Sequence, residues 1–427
     1  MLEDLAGPLR TAARRYGTPA YVTDLRTLRQ AAATVREAFP DPWLTTFSLK
    51  ANDVAAVVAE LAGIGLDANV VSSGEWAVAT RAGLPNARIT LEGIGKTDAD
   101  LRAAVRAAAR GDPLRWLAIE SLDEAGALAR LASRLPSGRH LDVLFRLNPE
   151  VAPETIAGLA VGAPTSKFGM TADELSEAVQ LVDAVPGLVA RGVHLHVGSQ
   201  LRAVDAWRDA ARRGLAVVAL LRGSLPAFDT LDLGGGFPIL PAGEPTPDPA
   251  RFARELGPLL DAVPADRRPA RLAIEPGRAL VARAGFLVGR VLHVRDRGAP
   301  VGRQVILDVG MTELIRPALY GAHHDVVALT SFGRAVTPGA AGPVLGPDDD
   351  RSPARVEGPI CESTDHLGEH ALPPLRRGDL VAVADAGAYG ASLGSTYNGR
   401  PRPPQVFVEA DGSLRLARPR GRVGSLG

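Results

Sequence analysis

Eight short apolar runs recur between residues 43 and 277, and stretches of helical pattern separate them. The runs are WLTTFSL (43–49), ANVV (68–71), ARITLEG (87–93), RWLAIES (115–121), DVLFRLN (142–148), GVHLHVG (192–198), FDTLDLG (228–234) and RLAIEPG (271–277). DVAAVVAELAGIG, DADLRAAVRAAARG and LDEAGALARLASRL are among the helix candidates between them. A further helix opens at Thr171 with Glu174 three residues on, the spacing at which the two side chains satisfy free N–H groups at a helix start. Strands that alternate with helices make a parallel sheet covered by helices, and eight of them close into a barrel. An open, doubly wound sheet is the other arrangement that such an alternation allows.

The rhythm changes after about residue 280. AGFLVGRVLHVRD, RQVILDVGM, DVVALTS, GDLVAVADAG and PPQVFVE read as strands with turns between them and little helix, and YGTPAYVTD near the N-terminus reads as a strand that joins them. The expected fold class is thus α/β plus all-β: a (β/α)8 TIM-type barrel with a C-terminal β-sandwich or β-barrel domain. The barrel takes residues 24–279 and the β domain residues 1–23 and 280–410. Residues 335–357 and 241–250 read as loops, and 411–427 as a loose tail.

Nearly half the residues are apolar, ample for a large core. Acidic and basic residues balance at 48 each, so no net field favours nucleic acid or an anionic membrane. The start MLEDLAGPLRTAARR lacks the apolar stretch of a signal peptide, and no run of about 18 apolar residues is present to span a bilayer. The lone cysteine, Cys361, forms no intrachain disulfide, which fits a reducing cytoplasm.

The strand ends collect polar residues: Lys50, Asn69 and Ser72, Glu92, Glu120 and Ser121, Arg146 and Asn148, His194, His196 and Ser199, Gly234 to Gly236, and Glu275 to Arg278. Barrel active sites lie at that end of the strands. Lys50 is one of only three lysines in a chain with 45 arginines (48 basic residues less three). Loss of water lowers an ammonium pKa, so a buried amine can attack a carbonyl, which a guanidinium cannot. Position alone leaves open a second reading, a lysine that reaches from a strand end to water. DLGGGFP follows the seventh run and EPGRA the eighth, where barrels commonly bind phosphate on backbone N–H groups. A triple glycine is also compatible with a tight turn. Lysine and phosphate site together point to pyridoxal 5'-phosphate. GIGKT (93–97) lacks the first glycine of a P-loop, since Thr90 stands there. HLH (194–196) puts two imidazoles on one strand face with no evident third ligand, so no metal is expected. A ring lying against a flat cofactor suits one of them better. Cys361 has polar neighbours, Glu362, Ser363 and Asp365, unlike a cysteine buried among apolar groups.

FSLKAN, VVSSGE, SKFGM, HLHVGSQ, LDLGGGFPI, EPGRALVA, LIRPALYGAHH, GPICESTD and DAGAYGASLGSTYNGRPRPPQV together resemble the signatures of the diaminopimelate decarboxylases, which share the alanine-racemase-like fold of pyridoxal-phosphate enzymes. The resemblance runs from about Tyr16 to Val408, and single pieces of it are shared with ornithine and arginine decarboxylases. It implies that Lys50 bonds the cofactor aldehyde and that His196 stacks on the pyridine face. Ser199, the glycines Gly234, Gly235 and Gly236, and the turn with Gly277 and Arg278 hold the phosphate. Glu275 pairs with the pyridine nitrogen, and Tyr389 helps bind the cofactor. Arg278, Arg316 and Tyr320 contact substrate carboxylate, with Glu362 at the substrate's amino end. Cys361, from the other subunit of a homodimer, is the proton donor. A carboxylate at Glu275 keeps the ring nitrogen protonated and the ring a strong electron sink, which favours decarboxylation over racemisation.

The implied reaction is decarboxylation of meso-2,6-diaminopimelate to L-lysine and carbon dioxide; a paralogue acting on another basic or diamino acid, and a catalytically dead binding protein, are the alternatives. Two departures from the family pattern stand out. The family's aspartate in DVVSGGE is Asn69, with Asp67 two residues earlier. A histidine, an aromatic residue and a threonine usually stand where Ile156, Gly158 and Val161 are, in the loop 153–165 at the substrate's far end.

Overall fold

The structure, a computed structural model, describes residues 2–155, 159–163, 166–240, 244–300, 302–336 and 350–425. Ile156 and Gly158 lie outside the described residues, as do 241–243 and 337–349 of the two expected loops. The chain divides into two compact units: residues 32–240 with 244–279, and residues 1–31 with 241–243 and 280–427.

The first strand, β1 (Ala20–Asp24), belongs to the second unit. The next eight are β2 (Leu44–Ser48), β3 (Asp67–Val70), β4 (Ile89–Leu91), β5 (Trp116–Ile119), β6 (Leu141–Arg146), β7 (Leu188–His194), β8 (Thr230–Asp232) and β9 (Arg271–Ile274). All neighbours pair in parallel, and β9 pairs with β2, so the sheet is a closed barrel. Each of the eight apolar runs supplies one strand, and closure removes the open doubly wound sheet. The strands are short and nearly all buried on both faces, which is why they read as continuous apolar runs rather than alternating ones. Trp116 and Ala118 of β5, Leu144 of β6 and Ala273 of β9 pack together across the interior. The expected helices form at Ala55–Gly63, Asp98–Ala109, Leu122–Ala132 and Ala172–Asp183. Thr171 and Glu174 make the reciprocal cap at the last of these.

The second unit is built on a nine-stranded mixed sheet. Its strands after the barrel are β10 (Gly285–Asp296), β11 (Arg303–Leu307), β12 (Val326–Ala328), the ribbon β13 (Thr330–Ser331) and β14 (Arg334–Ala335), β15 (Ser352–Glu357), β16 (His366–Leu372), β17 (Leu380–Val383), β18 (Gln405–Val408) and β19 (Leu414–Arg418). The main path runs β16-β15-β11-β10-β1-β18-β19, with β17 also paired to β10 and β12. YGTPAYVTD does join this sheet: β1 lies between β10 and β18. Alternate residues feed two cores. Tyr21 and Leu287 face one, Val22, Phe286 and Val288 the other.

Two expectations change here, and one element is added. Residues 2–16, given no secondary structure by the sequence reading, form a helix, because Leu5, Leu9, Ala12 and Ala13 share one face and cover the second core. SPARVE is strand β15, since Ala354 and Val356 turn inward while their neighbours face water. Part of the supposed loose tail is β19, antiparallel to β18, and Arg420 Nη2 donates to the Pro19 carbonyl at 2.8 Å. The many arginines there suggested disorder, but they flank a strand and cap carbonyls.

Candidate active site

Ser48 ends β2, and one tight turn, Leu49–Ala51, carries Lys50 half-buried at the strand's C-terminal end. Asn52 Oδ1 accepts from the Val54 N–H at 3.1 Å and starts the next helix, so the backbone on both sides of the lysine is fixed. The Lys50 charge acts on Glu75, His194 and His196. Glu75 caps the turn after β3: its Oε2 accepts from the Val71 N–H at 2.9 Å. Burial raises its pKa, while that bond and Lys50 pull it back.

The triple glycine after β8 forms a cradle that no side chain could share. Gly234 (φ 65°) and Gly236 (φ 109°) occupy left-handed backbone. A Cβ on Gly234 would lie 2.4 Å from the Leu195 carbonyl oxygen, and one on Gly235 2.5 Å from that of Glu275. The Gly235 N–H donates to His196 Nδ1 at 3.2 Å, which fixes the ring and leaves the proton of the neutral imidazole on Nε2. Burial, then the charges of Lys50 and Arg146, hold His196 well below the ordinary imidazole range. The Gly236 N–H has no acceptor among the described residues. Beside the cradle, Ser199 Oγ accepts from Arg278 Nη2 at 3.1 Å. Gly277 sits against Ala51 and Ser48, which brings the turn after β9 onto the Lys50 turn.

Inside the mouth lies a dry cluster of ionisable groups. Glu275 Oε1 accepts from Asn69 Nδ2 at 2.8 Å and lies 3.5 Å from His194 Nε2. Glu92 Oε2 is 3.3 Å from the same nitrogen, though off hydrogen-bond alignment, and Trp116 Nε1 donates to Glu92 Oε1 at 3.4 Å. Glu92, His194 and Glu275 are each under 5 % exposed. Burial and the nearby Glu275 charge push Glu92 up to about 8, and burial drives His194 down to about 4. Asp232, whose Oδ1 accepts from the Gly234 N–H at 2.9 Å, is also raised well above its ordinary range by burial and by Glu275. Arg146 and Glu120 neutralise each other at 2.7 Å, and although burial opposes it, Arg146 keeps Glu120 ionised.

The barrel mouth thus brings together Lys50, His196, Ser199, Gly234–Gly236, Glu275, Gly277 and Arg278. Sequence reasoning treats Glu92 as one polar strand end among many and gives Asp232 no role. The available signal was an acid in or just after a run otherwise wholly apolar, at FDTLDLG and ARITLEG. The donor set fits pyridoxal phosphate: an amine at the rim, a glycine cradle with an N–H to spare beside a serine and an arginine, and a buried carboxylate.

The remaining candidates lie in the second unit. Arg316 is buried, with Nε donating to His324 Nε2 at 3.2 Å and its guanidinium 5.9 Å from the centre of the Tyr320 ring. Cys361 and Glu362 are exposed, and Tyr397 Oη donates to Glu362 Oε1 at 2.7 Å. Asp365 ties down their loop, accepting from the N–H groups of Met311 (2.5 Å) and Ile360 (2.7 Å). Tyr389 adopts φ 57°, uncommon for a tyrosine, between Gly387 and Gly390. Among the described residues, no helix is long and apolar enough to cross a membrane.

Comparison with known proteins gives the same reading from an independent direction. Residues 25–282 match the family model of the pyridoxal-dependent decarboxylases, pyridoxal binding domain. Diaminopimelate decarboxylase of Zymomonas mobilis is 34% identical over 97% of this chain and 93% of its own length. That of Actinosynnema pretiosum is 39% identical over 96% and 88%. The crystal structure of diaminopimelate decarboxylase from Helicobacter pylori complexed with L-lysine superimposes with a TM-score of 0.85 at 29% identity, covering 98% of each chain. With a rim lysine, a glycine cradle and a buried acid on a barrel, and full-length relatives at this level of identity, the chain belongs to the diaminopimelate decarboxylase family of pyridoxal-dependent decarboxylases.

Proposed function

We propose that this protein is a pyridoxal-phosphate-dependent decarboxylase that converts meso-2,6-diaminopimelate, at its D-centre, to L-lysine and carbon dioxide. The observation that carries this is the buried Glu275 carboxylate in the same barrel mouth as Lys50 and the glycine cradle. Lys50 would hold the cofactor through Nζ. Ser199, Gly234 to Gly236, Gly277 and Arg278 would hold its phosphate, Glu275 its ring nitrogen, His196 one ring face, and Tyr389 would add a further contact. Bound there, the cofactor supplies an electron sink for the pair left on the α-carbon when carbon dioxide departs.

The chain's own residues do the rest. Glu275 would keep a proton on the ring nitrogen. His196, neutral and fixed by the Gly235 N–H, would cover the ring without adding charge. Arg278, Arg316 and Tyr320 bind substrate carboxylate, and Glu362 the distal amino end. Cys361 Sγ delivers a proton to the α-carbon, a step of the general-acid kind. Its exposure supports a homodimer in which each subunit lends Cys361 to the other's site. The balanced charge and lone cysteine support a cytoplasmic enzyme.

Carbon dioxide release from meso-diaminopimelate, lysine, ornithine and arginine tests the substrate. Release from meso-diaminopimelate alone is expected, and release only from ornithine or arginine overturns the assignment. Val161, where the family usually has threonine, makes that comparison necessary.

A further inference from the structure

Glu92 sits at the end of β4, one strand round from Asn69 on β3, and both converge on Glu275. One carboxylate oxygen each of Glu92 and Glu275 and one ring nitrogen of His194 all lie within 4.8 Å of one another, and all three residues are buried. Two carboxylates so close in a dry site cannot both ionise, and one holds the proton for the pair. The surroundings decide which. Glu275 Oε1 takes the Asn69 amide hydrogen at 2.8 Å, and that bond favours the charged form. Glu92 receives a long Trp116 contact, at 3.4 Å, and a lesser share of the same Asn69 amide, whose 2.8 Å bond goes to Glu275, and it otherwise faces a neutral imidazole. The charged groups around the cluster do not reverse this order: Arg146 is paired with Glu120, Asp232 is itself raised, and Lys50 stands at the rim.

We infer that Glu92 is a positioning residue which, as a neutral carboxylic acid, donates a hydrogen bond to Glu275 and, with the Asn69 amide, keeps Glu275 the ionised member of the pair. This rests on the proposed placement of the pyridine nitrogen at Glu275. It also gives meaning to Asn69, where the family's signature has aspartate. An amide there can donate to Glu275, whereas a third carboxylate would compete with it for a proton. The acid at position 92 takes the role of proton holder from the next strand.

The test pairs infrared spectra of the protein, with and without pyridoxal phosphate, with kinetics on meso-diaminopimelate. A carboxylic-acid C=O stretching band attributable to Glu92 is expected in the wild type and is lost as the pH rises past about 8. That component is absent from Glu92→Gln. Glu92→Ala, with no donor, loses about tenfold or more in kcat at little change in KM, and Glu92→Gln, which still donates, recovers most of it. A band unchanged in Glu92→Gln, or Ala and Gln variants alike in kcat, overturns the inference. Should the variants fail to fold, a wild-type band that does not fall near pH 8 overturns it alone. Borohydride tagging of the Lys50 peptide separates the two readings. If the peptide goes untagged, the cofactor assignment fails, and the infrared titration without cofactor still judges Glu92.

Discussion

The barrel mouth and the Cys361 loop hold their reactive groups by opposite means. In the mouth, Glu92, His194, Asp232 and Glu275 are packed out of water, and burial is the largest cause of each shifted pKa among the first three. In the loop, Cys361, Glu362 and Tyr397 face water; Glu362 and Tyr397 hold each other by a hydrogen bond, and a single buried acid, Asp365, grips the backbone. Burial tunes charge inside one unit without help. An exposed thiol gains its setting only when something else covers it, which is why a second subunit is proposed there and not at the barrel.

The largest effect that probes this contrast is at Lys50. Lys50→Ala should abolish turnover and remove the cofactor's visible absorbance, because Lys50 is the amine proposed to bond the cofactor; of the other two lysines, Lys96 is paired with Glu124 at 3.0 Å and Lys167 lies against the Phe168 ring. Absorbance and carbon dioxide release read both. Cys361→Ala comes next. Loss of a general acid costs about 10²–10⁴ in rate. Since the thiol is exposed, the folded chain should keep its melting temperature and its cofactor spectrum. A turnover that stays high removes the cysteine from the mechanism. Asp365→Asn tests how the loop is held. Replacing a carboxylate that accepts two backbone N–H groups should cost about 1–3 kcal/mol in stability and lower kcat, while Lys50 remains tagged by borohydride. Thermal unfolding that matches wild type would show that the loop does not depend on Asp365.

The barrel was legible because its strands are short, apolar and separated by turn and cap residues, so the order of chemistry around the mouth followed from the order of the chain. Lys50, Gly234–Gly236 and Glu275 were recognisable there because each ends a run. The acid cluster was not legible in the same way. Glu92 and Asp232 are single letters in apolar strings, and what makes them a set is strands β4, β7, β8 and β9 meeting round a closed ring, which no linear pattern states. The helix at Leu2–Tyr16 went unread because its apolar face is mostly alanine and one proline interrupts it, although a sheet was waiting to be covered. The edge strand β19 was hidden by its arginines: an edge is where charged side chains protect a strand, and composition alone takes them for a disordered tail.

The smallest effect is on stability as pH changes, and it separates the dry cluster from everything exposed. His194 is held at about 4, below its ordinary 6.5, so between those values the unfolded chain binds more protons and stability rises with pH. Glu92 is held at about 8, above its ordinary 4.5, so over that window the folded chain binds more protons and stability falls as pH rises. The two oppose each other up to about pH 6.5, with His196 acting in the same sense as His194; from there to about 8 Asp232 adds to Glu92 in the same sense, as does His323, which its hydrogen bond to Asp325 raises. Urea unfolding of the cofactor-free protein should therefore show stability declining over that upper window, by less than about 1.4 kcal/mol per pH unit for each proton. Glu92→Gln removes one titrating group and should flatten the decline without erasing it, because Asp232 remains. A slope unchanged by Glu92→Gln would mean that the proton sits elsewhere in the cluster, on Asp232 or on Glu275 itself, and that the dry mouth is ordered differently from the reading given by its hydrogen bonds.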